Sequence, residues 1–309
     1  MQRTILACLL LVLATGSAFA QTPAAPSAAP AAPSPAPAAG QMPMFATTKV
    51  DGTDNVYIFR YQFHQAMFVV TPKGVIATDP IGLGRPQAVK TYIDEIRKIT
   101  AAPIRYVVYS HHHFDHIAGG KPFRDLGAKF VAHKNATQRL RALKNPDVVL
   151  PDESVDRKKT IRLGGTTVEL IYVGRNHSDG MLVMLLPQEK IVFVVDFIPL
   201  QGLQWRNMPD TWPGEFEDSI KRVLAMDWER MIPGHPGPGG RLGTKDDARA
   251  ALVYLQDLSA EVKKAADENK CFDTAMKEVK LPKYESWAFY GQYLSGNVER
   301  YCQYWRIGL

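Results

Sequence analysis

The feature that most constrains this 309-residue sequence is a segment with four histidines and one aspartate within six residues. Residues 110–120 read Ser-His-His-His-Phe-Asp-His-Ile-Ala-Gly-Gly. They directly follow residues 104–109, a short β-branched and aromatic run that predicts a buried strand. Burying several imidazoles together is costly unless a cation organises them. The segment therefore predicts a metal-binding loop at the end of a strand.

The order of the residues in this loop predicts which side chains act together. In an extended loop that leaves a strand, His111 and His113 project to the same side and are predicted to hold one ion. Asp115 and His116 are predicted to turn toward a second ion. The side chain of His112 points the other way, so we do not expect it to be a ligand.

The N-terminal segment predicts export. Arg3 gives a positive start, residues 5–13 are apolar, and residues 18–20 read Ala-Phe-Ala, so a secretory signal peptide is predicted over residues 1–20. Residues 21–44 are rich in alanine and proline and are predicted to form a disordered tether. Residues 45–309 are then predicted to form the folded domain, in the periplasm or outside the cell.

Composition excludes several classes of protein. An apolar fraction of 46% and a charged fraction of 22% are typical of a globular chain. The lysines and arginines behind the net charge of +6 do not cluster in a basic stripe, so a nucleic-acid partner is not expected. Apolar runs after the signal peptide are too short to span a bilayer. We therefore expect a small-molecule substrate, and no sequence feature indicates an oligomeric state.

Two cysteines remain after the predicted signal cleavage, Cys271 and Cys302. In an oxidising compartment an even pair predicts a disulfide. The alternative is two separate buried thiols.

Periodicity predicts a chain that alternates between strands and helices in each half. Strands are predicted at 56–59, 66–70, 74–78, 104–109, 129–132, 159–163, 166–173, 181–186 and 191–195, and helices at 86–99, 135–143, 215–226, 245–269 and 295–306. Strand-rich stretches are followed by helices twice. This order indicates an α/β fold in which two sheets pack face to face with helices outside, an αββα sandwich of four layers in a single domain.

The pattern His-x-His-x-Asp-His at 111–116, followed by Gly-Gly, resembles the metallo-β-lactamase-fold superfamily of metallohydrolases. The resemblance extends over the folded body in the expected order. It implies that Asp79, after a predicted strand, is a carboxylate that orients the metal loop. It also implies that His177 completes the first metal site, that Asp196 bridges the two ions, and that His235 is the last ligand of the second site.

The implied centre holds two metal ions. The first ion would be bound by His111, His113 and His177, the second by Asp115, His116 and His235, and Asp196 would bridge them with a hydroxide. Imidazole ligands favour two Zn²⁺ ions, with iron or manganese as alternatives. The bridging hydroxide would attack a carbonyl and Asp115 would accept its proton. His64 and His133 are expected to be structural, and residues 201–213, with Trp205, Met208 and Trp212, to form part of the pocket rim.

Individual residues separate the branches of this superfamily. Oxygen-reducing di-iron relatives carry glutamate in place of His113, and lactamases with a cysteine ligand carry cysteine in place of Asp196. Glyoxalase II matches the metal loop, but its glutathione-binding segment is missing after Asp196. We therefore expect an exported di-zinc hydrolase of an ester, lactone or β-lactam. The alternatives are a mononuclear iron sulfur dioxygenase, a glyoxalase II-like thioesterase and, last, a non-catalytic binding or relay protein.

Overall fold

The computed structural model describes residues 43–309. The predicted signal peptide and all but the last two residues of the predicted tether lie outside the described residues. The first strand begins at Phe45, the residue at which the folded domain is predicted to start. Within the described part of the chain, no helix combines the length and the apolar character needed to cross a membrane.

The first sheet has seven strands in chain order. They are β1 (Phe45–Lys49), β2 (Val56–Tyr61), β3 (His64–Thr71), β4 (Gly74–Thr78), β5 (Ile104–Val108), β6 (Lys129–His133) and β7 (Glu153–Val155). Strands β1 to β4 form an antiparallel meander, and β5, β6 and β7 each run parallel to the preceding strand. The sequence did not predict β1 and β7, because these edge strands are short and lack a clear alternation of apolar residues.

The second sheet has five strands. They are β8 (Lys158–Leu163), β9 (Thr166–Tyr172), β10 (Leu182–Leu186), β11 (Ile191–Val194) and β12 (Arg230–Pro233). The first four pair antiparallel, and β12 runs parallel to β11. Strand β12 was not predicted either, because its four residues begin with Arg230 and end with Pro233, which leaves only two apolar positions between them.

Residues 43–309 contain eight α-helices, most of which cover the outer faces of the two sheets. They are α1 (Pro86–Ile99), α2 (Phe114–Ile117), α3 (Lys121–Asp125), α4 (Lys134–Leu143), α5 (Pro213–Leu224), α6 (Lys245–Asp267), α7 (Ala275–Glu278) and α8 (Tyr290–Ile307), with 3₁₀ turns at Pro238–Gly240 and Pro282–Tyr284. Helix α8 begins five residues before its predicted start at 295. Phe289 precedes it with φ of 65° and stacks on Tyr293, which stabilises the additional turn despite Gly291.

Three layers of buried side chains hold the four layers of backbone together. Strand β10 shows how: Leu182, Met184 and Leu186 pack between the two sheets, whereas Val183 and Leu185 pack toward α5, α6 and α8. This is the period of two expected for a strand with both faces buried. A third buried cluster lies between the first sheet and α1, α3 and α4. The predicted four-layer αββα sandwich, as a single domain, is confirmed.

The fold brings several strand ends to one edge. Parallel neighbours end on the same side of a sheet, so the loops after β4 and β5 leave together, as do those after β11 and β12. The sheets also meet there: Leu182 N donates to Ser110 O (2.7 Å), and Gln65 N donates to Gly234 O (2.7 Å). Residues far apart in the sequence therefore converge at this edge.

Candidate metal centre

The loop after β5 presents its histidines in two directions. The rings of His111 and His113 have centroids 4.5 Å apart, and Nδ1 of His111 hydrogen-bonds to Ser110 Oγ (2.9 Å). His112 has its Nδ1 3.0 Å from Ser178 Oγ and its Nε2 3.4 Å from Oδ2 of Asp210. The ligand atoms of His112, His113 and Asp210 form a separate group, within 4.8 Å of one another.

A first cluster of ligand atoms is formed by His111, His113, His177 and Asp196. One nitrogen or carboxylate oxygen from each lies within 4.8 Å of the others. Nε2 of His177 is 3.1 Å from Nδ1 of His113. The structure thus places together the three histidines that the sequence assigns to the first ion.

A second cluster is formed by Asp115, His116 and His235, joined by His64. Oδ2 of Asp115 lies 3.4 Å from Nε2 of His116. Nδ1 of His235 hydrogen-bonds to the carbonyl oxygen of Phe63 (2.5 Å), which aims Nε2 into the cluster. The three residues that the sequence assigns to the second ion therefore also lie together.

Asp196 connects the two clusters. Its Oδ2 lies 3.4 Å from Nε2 of both His111 and His177 in the first cluster, and 3.1 Å from Nε2 of His116 in the second. Its Oδ1 lies 3.0 Å from Nε2 of His235. One carboxylate thus contacts ligand nitrogens of both clusters, as a bridging ligand requires.

The donor set fits divalent cations. Among residues 43–309, Nε2 of His111 and Nε2 of His116 are buried and make no well-aligned hydrogen bond, although Oδ2 of Asp196 lies 3.4 Å and 3.1 Å from them. Such atoms cost about 1–3 kcal/mol each unless something binds them. Imidazole nitrogens with carboxylate oxygens are the ligands that transition metals such as zinc prefer.

Burial and charge set the protonation of the histidines. Burial lowers the pKa of His177 to about 4 and that of His111 well below its usual value. Both rings are therefore neutral at neutral pH, the state that binds a metal. Burial opposes protonation of His116 too, but Asp196 and Asp115 outweigh it and raise the pKa of His116 to about 9. In the metal-free protein His116 keeps a proton that an incoming cation must displace.

The two central carboxylates stay ionised. Burial alone would raise the pKa of Asp196, but His116 and His235 outweigh it and hold that pKa well below its usual value. Burial opposes ionisation of Asp115 as well, and His116 and the hydrogen bond with His64 again lower its pKa. The centre therefore offers two negative charges to bound cations.

Asp79 holds the start of the metal loop through a hydrogen bond. It follows β4, is completely buried, and accepts a hydrogen bond from Ser110 N through Oδ1 (2.8 Å). Its Oδ2 lies 3.9 Å from Nδ1 of His116. Burial raises the pKa of Asp79 to about 6. These contacts are those expected of a carboxylate that orients the loop rather than binding the ion.

Two residues of the centre were not predicted from the sequence. His64, expected to be structural, contacts Asp115 instead, with Nε2 3.1 Å from Oδ2. Asp210 accepts a hydrogen bond from Nε2 of His113 (3.1 Å), on the far side of the ring from the cluster. The only available signal for Asp210 was an acidic residue inside the predicted rim. His133, by contrast, is structural as expected, because its Nδ1 caps helix α4.

The segment 201–213 serves partly as rim and partly as core. Trp205 is about half exposed, and the ring of Trp212 lies beneath the guanidinium groups of Arg139 and Arg175. Met208 is buried in the core between the second sheet and its helices, so its assignment to the rim was wrong.

The predicted cysteine pair lies together as a disulfide. It joins Cys271, after α6, to Cys302 in α8, with Cα atoms 5.4 Å apart.

Comparisons with known proteins agree with the fold. Residues 64–262 match the sequence model of the Metallo-beta-lactamase superfamily. A type 2 metallo-beta-lactamase of Bacillus cereus is 26% identical over 191 residues, covering 61% of this chain and 70% of that protein. A solved structure of a metallo-beta-lactamase from Pontibacter korlensis superposes with a TM-score of 0.59 at 22% identity, covering 69% of this chain and 99% of that one.

One relative is named for a different activity. The alpha subunit of a 2,4-dinitroanisole O-demethylase from a Nocardioides strain is 26% identical over 165 residues. The match covers 52% of this chain, and this chain spans about half (49%) of that relative's length.

Proposed function

This chain belongs to the metallo-beta-lactamase superfamily, and we propose that it is an exported di-zinc hydrolase that cleaves a carbonyl bond in a small-molecule ester, lactone or β-lactam. The observation that carries the proposal is the position of Asp196. Its carboxylate contacts ligand nitrogens of both clusters at 3.0–3.4 Å, an arrangement that favours two ions over one.

The ligand types favour zinc. Five histidines and two aspartates make up the predicted ligand set, and no cysteine lies in either cluster of the described residues. Imidazole with few carboxylates suits Zn²⁺, although Fe²⁺ accepts similar ligands. A mononuclear iron dioxygenase would need only the first cluster, so the complete second cluster argues against that alternative and against a degenerate binding protein.

The residues of the site divide the chemical work. When bound, the cations would polarise the carbonyl and provide hydroxide at neutral pH. Asp115 is placed to move the proton, because its side chain is 40% exposed while its Oδ2 faces His116. An ionised carboxylate at this place accepts a proton from the nucleophile and returns it to the leaving group. Asp79 and Asp210 hold the loop and the ring of His113 in place.

Export is supported by two features outside the centre. The N-terminal twenty residues have the composition of a signal peptide. The Cys271–Cys302 disulfide suits an oxidising compartment. We propose a periplasmic or secreted location. The test is the intact mass of the protein recovered from the periplasm or the medium, where we expect a chain cleaved after Ala20. An uncleaved chain retained in the cytoplasm contradicts the proposal.

The substrate class is tested by a hydrolysis screen of the mature protein as purified, with its metal content measured in the same preparation, and the screen is repeated after zinc loading. The panel contains esters, lactones, β-lactams and a glutathione thioester. It also contains 2,4-dinitroanisole, because a relative is named for its demethylation. We expect two zinc ions per chain and turnover of a carbonyl substrate, both reduced in Asp196→Asn. A single iron without zinc, or no turnover of any compound, would refute the proposal.

A further inference from the structure

His64 is held against the second cluster by backbone contacts on either side of it. The carbonyl oxygen of its neighbour Phe63 accepts the hydrogen bond from His235 Nδ1, and Gln65 N donates to Gly234 O (2.7 Å). The turn between β2 and β3 therefore fixes the His64 backbone beside the end of β12. The side chain is only 14% exposed.

The rings of the second cluster repeat the dimensions of the first. In the first cluster the centroids of His111, His113 and His177 are 4.5, 4.8 and 5.5 Å apart. In the second, the distances are 4.5 Å from His64 to His235, 5.1 Å from His64 to His116, and 5.2 Å from His116 to His235.

The ligand atoms agree with the ring positions. Nε2 of His64 lies within 4.8 Å of the ligand atoms of Asp115, His116 and His235, and 3.1 Å from Oδ2 of Asp115. Two ligands bound to one zinc ion at about 2.0–2.1 Å in tetrahedral geometry are roughly 3.3 Å apart. The observed separation is close to that of two ligands sharing an ion.

We propose that Nε2 of His64 is an additional ligand of the ion in the second cluster, an inference that rests on the two-metal centre of the proposed function. Each ion then has three imidazoles and shares Asp196, and the second ion also has Asp115. The second site becomes as rich in histidine as the first.

The competing interpretation is that His64 only donates a hydrogen bond to Asp115. Within the described residues, Nδ1 of His64 is buried without a hydrogen-bond partner. If Nε2 carries the proton, Nδ1 is a buried acceptor without a donor. If Nε2 binds the ion, Nδ1 carries the proton and is a buried donor without an acceptor. The free-energy cost of the unpaired Nδ1 is similar in both cases. The similar ring-to-ring distances in the two clusters therefore favour ligation.

The test uses Co²⁺ as a paramagnetic probe in the full protein, with His64→Gln and the control His133→Gln. Glutamine keeps a donor for Asp115 but removes the imidazole. We expect the cobalt-loaded His64→Gln protein to lose one hyperfine-shifted, exchangeable imidazole N–H signal. We also expect its affinity for the second Zn²⁺ to fall more than about 100-fold. This is a larger loss than removal of a residue that only orients a ligand causes. His133→Gln should change neither.

An unchanged number of shifted signals in a folded His64→Gln protein would overturn the inference and leave the two-metal hydrolase intact. A measurement without any variant gives the same decision. In a crystal structure of the zinc-loaded wild type, we expect Nε2 of His64 at about 2.0–2.1 Å from the second ion. If Nε2 of His64 is too far from the second ion to bind it, the inference is overturned. Loss of the signal in a protein that hydrolyses nothing would instead refute the hydrolase and retain the ligand.

Discussion

Removing the carboxylate of Asp210 is expected to weaken metal binding without unfolding the protein. Oδ2 of Asp210 lies 3.1 Å from Nε2 of His113 and 3.4 Å from Nε2 of His112, and Oδ1 lies 3.8 Å from Arg139. If Nδ1 of His113 binds the first ion, Asp210 fixes the tautomer and the ring orientation of that ligand. Losing such a partner costs 10- to 100-fold in metal affinity, or about 1.4–2.7 kcal/mol.

Two substitutions of Asp210 should lower the affinity for the first ion by different factors. Asp210→Asn keeps the shape and one acceptor oxygen, so we expect about a 10-fold loss in the affinity of the first Zn²⁺, whereas Asp210→Ala should approach 100-fold. Overall stability should change little, because Arg139 retains its two hydrogen bonds to Asp179 (2.8 and 2.9 Å).

Stepwise zinc affinities are measured by competition with a chromophoric chelator, and stability by urea unfolding of the metal-free protein. The matched control is Asp179→Asn. Asp179 is the other carboxylate bound to Arg139, and its side chain contacts neither His112 nor His113. This substitution should leave the first affinity nearly unchanged. If Asp210→Ala binds the first ion as tightly as the wild type, the assigned role of Asp210 is wrong.

Three further predictions concern the reaction, the metal and the fold. Asp115→Asn should melt near the wild-type temperature but lose about 10²- to 10⁴-fold in kcat, and an unchanged kcat excludes Asp115 from proton transfer. Because the pKa of His116 is raised to about 9 in the metal-free protein, lowering the pH from 9 to 7 cuts the neutral fraction of the ring from about one half to about one hundredth and should weaken binding of the second ion about 50-fold. Calorimetry in buffers of different ionisation enthalpy should show the released proton, and a pH-independent affinity contradicts this. Replacing Cys271 and Cys302 by alanine should lower the free energy of unfolding by roughly 3–4 kcal/mol, given a sequence separation of 31. An unchanged urea midpoint would count against that entropic contribution.

Local sequence was enough for most of the fold. The strands of the sheet interiors were predicted because residues buried on both faces leave continuous apolar runs, as in β10 and β11. The edge strands β1 and β7 were missed because one side of each has no partner strand, so little apolar sequence is required there. Helix α8 starts earlier than predicted because stacking of Phe289 on Tyr293 outweighs the poor helix propensity of Gly291.

The sequence by itself determined the chemical type of the site. His111, His113, Asp115 and His116 lie in one short loop, and an extended backbone leaves few choices for where alternate side chains point. The assignment of the distant ligands depended on the order of motifs along the chain, which the superfamily shares.

Only the tertiary structure decided which further residues reach the centre. His64 lies 51 residues from Asp115, and Asp210 lies 97 residues from His113. Asp210 depends on a loop held by α8, where Asn297 donates to the carbonyl oxygen of Gln204 (2.9 Å). Contacts of this kind are set by how sheets and helices pack, and a lone histidine or aspartate carries no local pattern that records its neighbours in space.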